Sequence, residues 1–497
     1  MCQNCDLSPD SKFPMMQAKF RAGRRTGAQP ARAANNTEIL VSDQKYAWAA
    51  GLVMYVLLFY MAVPYFLFNP PDDNSVTFTE PNPLYRALKY LVLFCGIALV
   101  IRRRSLAALL LRQVNGFFLA FFLLVLLSVA WSIEPAITLT RFAALCTICV
   151  ACFGCALVGW HKRRFEQIIL RFFTMLAVGS LIFGILWPNL AIEKGTGISL
   201  QGAWHGLLIQ KNGLGHTASI AIFFWVHAWL AKETKLLHFV VGCGTSLACL
   251  ILSRSSTSIF ATLFAVALLI LMLKGPRAKR PFMVFIVIVF AATILLYSLA
   301  VLNIVPGLDA IMQPIIAITG KDMTFSGRTQ IWEIIRQHIV QRPLLGTGYG
   351  AYWIGRVPTS PSYVFITSKS NFYPTEAHNG YLDIINDLGY IGLACLLGYL
   401  LVFLRQSLAL LKIDFVAATL YLALLFEELI NNLSESDWLS TSSLSFVVMT
   451  LATFALARAA FDQRWQARLR ESPTLERAPG GPALRRARVS RPHSAET

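Results

Sequence analysis

The sequence predicts an all-α integral membrane protein, on the evidence of its composition, its recurring apolar segments and the placement of its basic residues. Hydrophobic residues make up 56% of the 497 residues and charged residues only 14%, whereas charged residues are about 25% of an ordinary soluble domain. Apolar segments close to the roughly twenty residues that cross a bilayer recur along the whole chain.

We expect about twelve transmembrane helices, each matching one apolar segment. The seventh and eighth are separated only by a short serine-rich turn that contains Arg254. A long polar segment separates the ninth helix from the tenth. The predicted helices lie at about 46–68, 84–101, 114–131, 142–160, 167–187, 213–230, 236–252, 256–273, 281–303, 388–404, 413–430 and 442–460.

Lysine and arginine residues set the expected orientation, because they are retained on the cytoplasmic side of a membrane. They are concentrated in both tails and in every second loop, such as Arg102–Arg104 and Lys274–Arg280. An even number of helices with both termini in the cytoplasm satisfies this pattern. The net charge of +18 then reflects contact with anionic lipid rather than binding of nucleic acid.

Five regions follow from this topology. The N-terminal tail is polar and lacks the pattern of a cleavable signal, and the C-terminal tail has the basic, Pro- and Gly-containing composition of a disordered segment. The large loop faces the periplasm and is the expected catalytic region. The regions are the cytoplasmic tail 1–45, helices one to nine at 46–303, the periplasmic loop 304–387, helices ten to twelve at 388–460, and the cytoplasmic tail 461–497.

The periplasmic loop contains an amphipathic helix over residues 328–340, with Ile331, Trp332, Ile335 and Ile339 on one face. Such a helix is suited to lie in the lipid headgroup region. Arg328 falls in its first turn, where a guanidinium and helix N–H groups favour the same anion. The alternative is an arginine that only extends towards the membrane surface.

Positive charge gathers at the predicted outer face, although it is disfavoured there. Arg141, Lys211, Arg254 and Arg328 all lie near the outer ends of predicted helices, and a polyanionic ligand would explain the coincidence. His378 lies in the same region, and the near-neutral pKa of histidine suits it to take a proton from a hydroxyl. Arginines for a diphosphate and a histidine for a hydroxyl suit glycosyl transfer from a lipid diphosphate.

We expect no cofactor and no metal. The sequence has no phosphate-binding loop for ATP, and the outward loops show no carboxylate–histidine cluster that would hold an ion.

The chain resembles the O-antigen ligase and polymerase superfamily, and within it is most similar to ExoQ-like, Wzy-type exopolysaccharide polymerases. The resemblance covers roughly residues 90–400, and its specificity comes from an ordered series of motifs. One departure is Gln210, where histidine often precedes the Lys-Asn pair. The motifs are Trp131-Ser132-x-x-Pro135, Trp204-His205-Gly206, Lys211-Asn212-x-x-Gly215, Ser253-Arg254-Ser255, Gly327-Arg328-x-x-Ile331-Trp332, Pro343-Leu344-Leu345-Gly346-x-Gly348 and His378-Asn379-x₉-Gly389-x-x-Gly392.

This resemblance implies a GT-C-like helical fold and transfer of an oligosaccharide from undecaprenyl diphosphate at the periplasmic face of the bacterial inner membrane. We expect the transfer to be metal-independent and inverting. It places Arg254 and Arg328 at the donor diphosphate, with Lys211 and Arg141 at motif positions of less settled role. It makes His378 a base or a substrate ligand. A flippase and a chain-length regulator of the same pathway are the implied partners.

Two alternatives remain open. A ligase that moves finished polymer to another acceptor would carry the same motifs. A lipid-linked oligosaccharide flippase or transporter belongs to a different class, and we would expect it to show repeat symmetry and charged residues deep within its helices; the sequence pattern shows neither.

Overall fold

The computed structural model describes residues 46–62, 83–193, 201–276, 328–355, 358–367 and 373–471, with isolated positions at 282, 285, 289 and 292. All of them belong to one unit, Ser42–Thr497. Within these ranges the regular elements are helices, and β-type pairing is limited to a bridge between Ile192 and Trp204. The predicted all-α class is therefore confirmed. The tail 1–45 and residues 472–497 lie outside the described residues, as does most of the predicted helix 281–303.

The first half of the chain forms eight of the helices that carry the fold. They are α1 (Ala47–Ala62), α2 (Pro83–Arg102), α3 (Arg104–Leu111), α4 (Gly116–Leu127), α5 (Pro135–Leu157), α6 (Arg164–Leu186), the single turn α7 (Pro188–Ala191) and α8 (Lys211–Leu230). The second half adds α9 (Leu236–Ser253), α10 (Ser256–Lys274), α11 (Arg328–Ile339), the short α12 (Val364–Thr367), α13 (Gly380–Leu410), α14 (Phe415–Asn431) and α15 (Leu444–Glu471).

Seven of the described helices are long and apolar enough to cross a membrane, which makes the chain a multi-pass membrane protein. They are α2, α5, α6, α9, α10, α13 and the Leu444–Trp465 part of α15. An eighth crossing is formed if α3 is taken together with the segment Gly116–Ala130, which meets it at a bend of 101°. At this bend the Asn115 side chain accepts hydrogen bonds from the amides of Phe117 and Phe118, so that a new helix starts there.

Ionisable residues are buried within several helices, although the sequence pattern was expected to show no charged residues deep within the spans. Two of the predicted spans, now α8 and α14, carry them. His227 Nδ1 lies 2.8 Å from Glu166 Oε1 near one end of α8, and His216 Nε2 lies 3.1 Å from Glu427 Oε2 near the other. Buried ionisable groups are tolerated when each has a partner.

The apolar face of α11 packs onto the protein, not into lipid headgroups as expected. Ile331, Trp332, Ile335 and Ile339 are all buried, and α11 lies against α13. The predicted amphipathic helix is present, but an apolar face does not by itself distinguish a membrane surface from a protein surface.

Helix α13 begins at Gly380, so the predicted loop 304–387 is too long by its last eight residues. The helix is broken at Gly389, whose φ is 67°. A Cβ atom at this position would lie 2.2 Å from the carbonyl of Leu344, so only glycine fits. The break frees the carbonyls of Asn386 and Asp387, which accept hydrogen bonds from the amides of Thr347 and Gly348.

Candidate functional site

Three of the four predicted cations meet where several helices begin or end. Lys211 is the first residue of α8, Arg254 follows the last residue of α9, and Arg328 is the first residue of α11. Lys211 interacts electrostatically with both arginines and with the carboxylates of Glu193 and Glu435. The predicted gathering of positive charge is therefore present at this end of the bundle.

Arg254 lies between α9 and α10 with a left-handed backbone, φ 51°. This conformation is uncommon for a residue with a side chain, and it ends α9 sharply. The Arg254 Nη1 atom donates a hydrogen bond of 2.8 Å to the carbonyl of Gln201. The structure thus fixes the guanidinium beside the segment that precedes α8.

Glu435 joins three of the motifs through its carboxylate. Its Oε1 atom accepts a 2.6 Å hydrogen bond from Asn212 Nδ2 and lies 3.1 Å from Arg328 Nη2. The second terminal nitrogen of Arg328 donates to the carbonyl of Ser434. The Oε2 atom of Glu435 lies 3.6 Å from His378 Nδ1.

His378 lies between two carboxylates, because its Nδ1 atom is also 3.0 Å from Glu376 Oε1. Burial alone would lower the pKa of His378, but hydrogen bonds to and charge on Glu376 and Glu435 raise it to about 10. The imidazole is therefore protonated at neutral pH. The expected near-neutral pKa is wrong, because the two flanking carboxylates outweigh the effect of burial.

The backbone around His378 is held from several directions. Trp332 Nε1 donates 2.9 Å to the carbonyl of Ala377, and the Ala377 amide donates 2.9 Å to Asp383 Oδ2. Asn379 caps α13, since its Oδ1 atom accepts 3.0 Å from the Leu382 amide. These contacts stabilise His378 in a left-handed conformation with φ 50°.

Glu376, His378 and Glu435 together form a carboxylate–histidine cluster whose ligand atoms all lie within 4.8 Å of one another. The expectation that the loops hold no such cluster is wrong. Arg328 and the protonated His378 already offset the two negative charges here. This leaves less net negative charge to attract a metal ion.

Arg141 contacts a different set of groups from the other three cations. Its Nη1 and Nη2 atoms donate to the carbonyls of Gly350 and Trp353, at 2.6 Å and 2.8 Å. The Trp131 motif secures the same loop, since Trp131 Nε1 donates 2.9 Å to the carbonyl of Leu345. This loop is the one that docks onto the break in α13.

Three further positions of the motifs lie away from the cation cluster, outside the described residues, or at its edge. Gly392 lies directly behind the Leu388 side chain within α13, and Gly327 lies outside the described residues. Gln210, the departure from the family pattern, places its Nε2 atom 3.5 Å from Glu376 Oε1.

Sequence reasoning missed Glu376 and Glu435. Glu376 is only two residues from His378, so its proximity could have been noticed. Glu435 lies 57 residues beyond His378 in a short loop, and no spacing rule connects it to the other motifs.

The fold and the site define a multi-pass helical membrane protein with three cations and a carboxylate–histidine cluster at one end of its bundle. A family model described as O-Antigen ligase matches residues 241–397, a range that contains Arg254, Arg328 and His378. The chain is 26% identical over 288 residues to the Exopolysaccharide production protein ExoQ of Rhizobium meliloti (strain 1021), covering 56% of this chain and 61% of that protein. These matches confirm the resemblance to the O-antigen ligase and ExoQ-like family.

Proposed function

We propose that this protein is a glycosyltransferase that extends a lipid-linked glycan with oligosaccharide repeats taken from undecaprenyl diphosphate, at the periplasmic face of the bacterial inner membrane. The observation that carries the proposal is the Glu435 carboxylate, which brings Asn212, Arg328 and His378 into one cluster. The similarity to ExoQ supports a role in polysaccharide production.

Arg328 is the proposed principal ligand of the donor diphosphate, with Arg254 and Lys211 beside it. A guanidinium binds two phosphate oxygens through parallel N–H groups, and the guanidinium of Arg328 is now divided between the Ser434 carbonyl and Glu435. The donor diphosphate would take the place of the Glu435 carboxylate. We assign Arg141 an anchoring role in the loop that it contacts.

In the proposed reaction an acceptor hydroxyl attacks the anomeric carbon of the donor, and the bond from that carbon to the diphosphate oxygen breaks. Undecaprenyl diphosphate leaves as an anion that Arg328 and Arg254 stabilise. The hydroxyl proton passes to the Glu376 carboxylate, because His378 is already protonated. His378 positions the hydroxyl and Glu376.

The single displacement inverts the configuration at the anomeric carbon. Because guanidinium groups supply the charge that stabilises the leaving group, the proposed chemistry needs no metal ion at the diphosphate. Holding two lipid-bound substrates in one pocket supplies further rate acceleration through proximity.

A ligase that transfers finished polymer to another acceptor is the second candidate, because the matching family model carries that description. The same cations and the same His378–Glu376 pair would serve it. An assay that offers both a growing lipid-linked glycan and a separate acceptor for finished polymer distinguishes the two functions. If the protein is the polymerase, a flippase and a chain-length regulator are its proposed partners.

The test of the diphosphate site is extension of lipid-linked repeats by the purified protein. Arg328→Ala is expected to abolish extension, and Arg328→Lys to restore it poorly, because lysine offers a point charge without the two-pronged contact. Arg336→Ala is the matched control, since Arg336 lies on the same helix and pairs with exposed Glu333. Full activity of Arg328→Ala would contradict the assignment.

The test of transfer against transport uses His378→Ala. This variant is expected to bind lipid-linked repeats but to extend them about 10²-fold more slowly, because the hydroxyl and Glu376 lose their positioning. Wild type is expected to extend them even during brief exposure to a chelator. If wild-type protein instead moves the repeats across vesicles without lengthening them, the protein is a transporter.

A further inference from the structure

A second carboxylate–histidine cluster lies deeper in the bundle than the proposed catalytic site. His216 follows Asn212 by four residues on α8, which places it one turn, about 6 Å, further along the same face. It faces Glu427 and Glu428 near the end of α14. The side chains of all three are almost fully buried, with exposed fractions of 5%, 0% and 1%.

The three side chains present one ligand atom each to a common centre. His216 Nε2 lies 3.1 Å from Glu427 Oε2 and 3.7 Å from Glu428 Oε1, and the three atoms lie within 4.8 Å of one another. Ligands at about 2.0–2.2 Å from one ion are separated by about 3–4 Å. The spacing therefore suits a single small divalent cation.

The outer oxygens of both glutamates are held by amides from the next turn of α14. Asn431 Nδ2 donates to Glu427 Oε1, and Asn432 Nδ2 donates 3.5 Å to Glu428 Oε2. These contacts turn the inner oxygens, Glu427 Oε2 and Glu428 Oε1, towards His216. Supporting hydrogen bonds of this kind orient the ligands of a metal ion.

Asp437 faces the other ring nitrogen of His216, with Oδ2 3.0 Å from Nδ1. A metal-binding histidine almost always donates its other ring N–H to a carboxylate, a backbone carbonyl or a water, which fixes the ring and leaves the opposite nitrogen free for the metal. The described loop after α14 thus supplies the supporting acid.

The Glu428 Oε1 atom provides a second observation, separate from the spacing of the three side chains, that points to a bound ligand. This atom is fully buried and has no hydrogen-bond partner among the described residues. Three carboxylates surround one imidazole, so even a protonated His216 does not offset all of them. Such burial is costly unless a cation is present.

We infer that His216, Glu427 and Glu428 bind one divalent cation of the kind that accepts mixed nitrogen and oxygen ligands, such as Mn²⁺ or Zn²⁺. The ion fastens α8 to α14 one turn beneath the residues that bind the donor. Its role is structural, because it lies one turn of α8 beyond Asn212 and outside the Glu435 cluster. The inference stands independently of the proposed function.

The experiment loads the full-length protein in lipid nanodiscs with Mn²⁺ or Zn²⁺ after prolonged treatment with a chelator. We expect wild type to retain about one ion per chain by elemental mass spectrometry, and its thermal unfolding midpoint to rise when the ion is restored. A chain that retains no ion and shows no such rise would overturn the inference.

Glu428→Gln is the decisive variant, because it keeps the shape of the side chain and removes a charged ligand. We expect it to lose retention of the ion and to unfold at a higher temperature than ion-free wild type, since a buried charge has gone. Retention of the ion as in wild type would contradict the site. If this variant does not fold, Asp437→Asn, expected to weaken binding about 10–100-fold, replaces it.

Glu376→Gln is the matched control, because Glu376 belongs to the other carboxylate–histidine cluster. We expect this variant to bind the ion as wild type does. Loss of the ion here, with retention in Glu428→Gln, would place the ion at His378 and overturn the inference. Sugar transfer is not the readout, so failure of the proposed function leaves this test intact.

Discussion

The charge of His378 is set by two carboxylates that come from different parts of the chain. Glu376 is a neighbour in sequence, whereas Glu435 arrives through the loop after α14. Their combined charge outweighs the effect of burial, so the imidazole keeps its proton at neutral pH. At neutral pH the site therefore contains a further cation beside Arg328, and a carboxylate becomes the natural proton acceptor.

We predict that the imidazole C2 hydrogen of His378 exchanges with solvent deuterium with a midpoint near pH 10, as followed by mass spectrometry. Glu435→Gln should lower this midpoint, because one of the two carboxylates that raise the pKa is removed. His338 is the internal control: burial lowers its pKa below 6.5 despite its hydrogen bond to Asn386. A His378 midpoint near 6.5 would return this residue to the role of base.

The same pKa shift predicts how stability depends on pH. The raised pKa means that folding favours protonated His378, so its contribution is complete below the unfolded pKa of about 6.5 and is lost as pH rises through about 10. The thermal midpoints of wild type and His378→Gln should therefore differ most near pH 6 and converge towards pH 10. A difference that grows with pH would contradict this assignment.

A site residue was predictable from the sequence when its immediate sequence neighbourhood marked it as unusual. Arg254, Arg328 and Lys211 were identified because positive charge at helix ends on one side of a membrane is conspicuous. Glu435 was not, because its role exists only after the end of α14 is brought against α8 and α11. An acidic residue in a short loop otherwise has no distinguishing feature.

At the scale of elements, the break in α13 attaches the segment 343–350 to the helix that follows His378. Gly389 leaves the carbonyls of Asn386 and Asp387 without partners inside the helix, and the amides of Thr347 and Gly348 take their place. Gly348 and Gly389, which belong to different motifs, therefore lie on the two sides of one backbone contact, which we call the joint. The sequence predicted the motifs but not that they bind each other, because hydrogen bonds between distant carbonyls and amides leave no periodic pattern.

Gly389→Ala is expected to lower the thermal midpoint and to reduce extension activity. An alanine at positive φ costs about 1–2 kcal/mol, and its Cβ atom would in addition lie 2.2 Å from the Leu344 carbonyl. Gly244→Ala is the matched control, since a Cβ there meets nothing within 4 Å and alanine favours a helix over glycine. Equal thermal midpoints and equal extension activities of the two variants would contradict the proposed importance of the break at Gly389.

At the scale of the whole molecule, hydropathy predicted the helical class and most of the long helices. It placed α8 and α14 correctly in the chain but gave no account of the histidines and glutamates buried within them. Periodicity also could not reveal that α3 and α4 meet at a sharp bend, because both arms are apolar. These features arise from packing between helices that are distant in sequence.

The proposed sidedness predicts the behaviour of reporter fusions. A reporter that is active only in the periplasm should work when inserted at Pro361 and fail when fused after Arg464, because basic residues hold the C-terminal region in the cytoplasm. Cell fractionation verifies that both fusions are made in equal amount. Periplasmic activity of the C-terminal fusion would place the His378 site on the opposite side of the membrane.

The joint between the segment 343–350 and α13 has a consequence for how the family can diversify. The contact is made by the amides of Thr347 and Gly348 and the carbonyls of Asn386 and Asp387. It therefore depends on the backbone and on the glycines that this backbone requires, not on the other side chains of the segment. Selection for a new sugar could act on those side chains while the hydrogen bonds that hold the segment beside His378 remain unchanged.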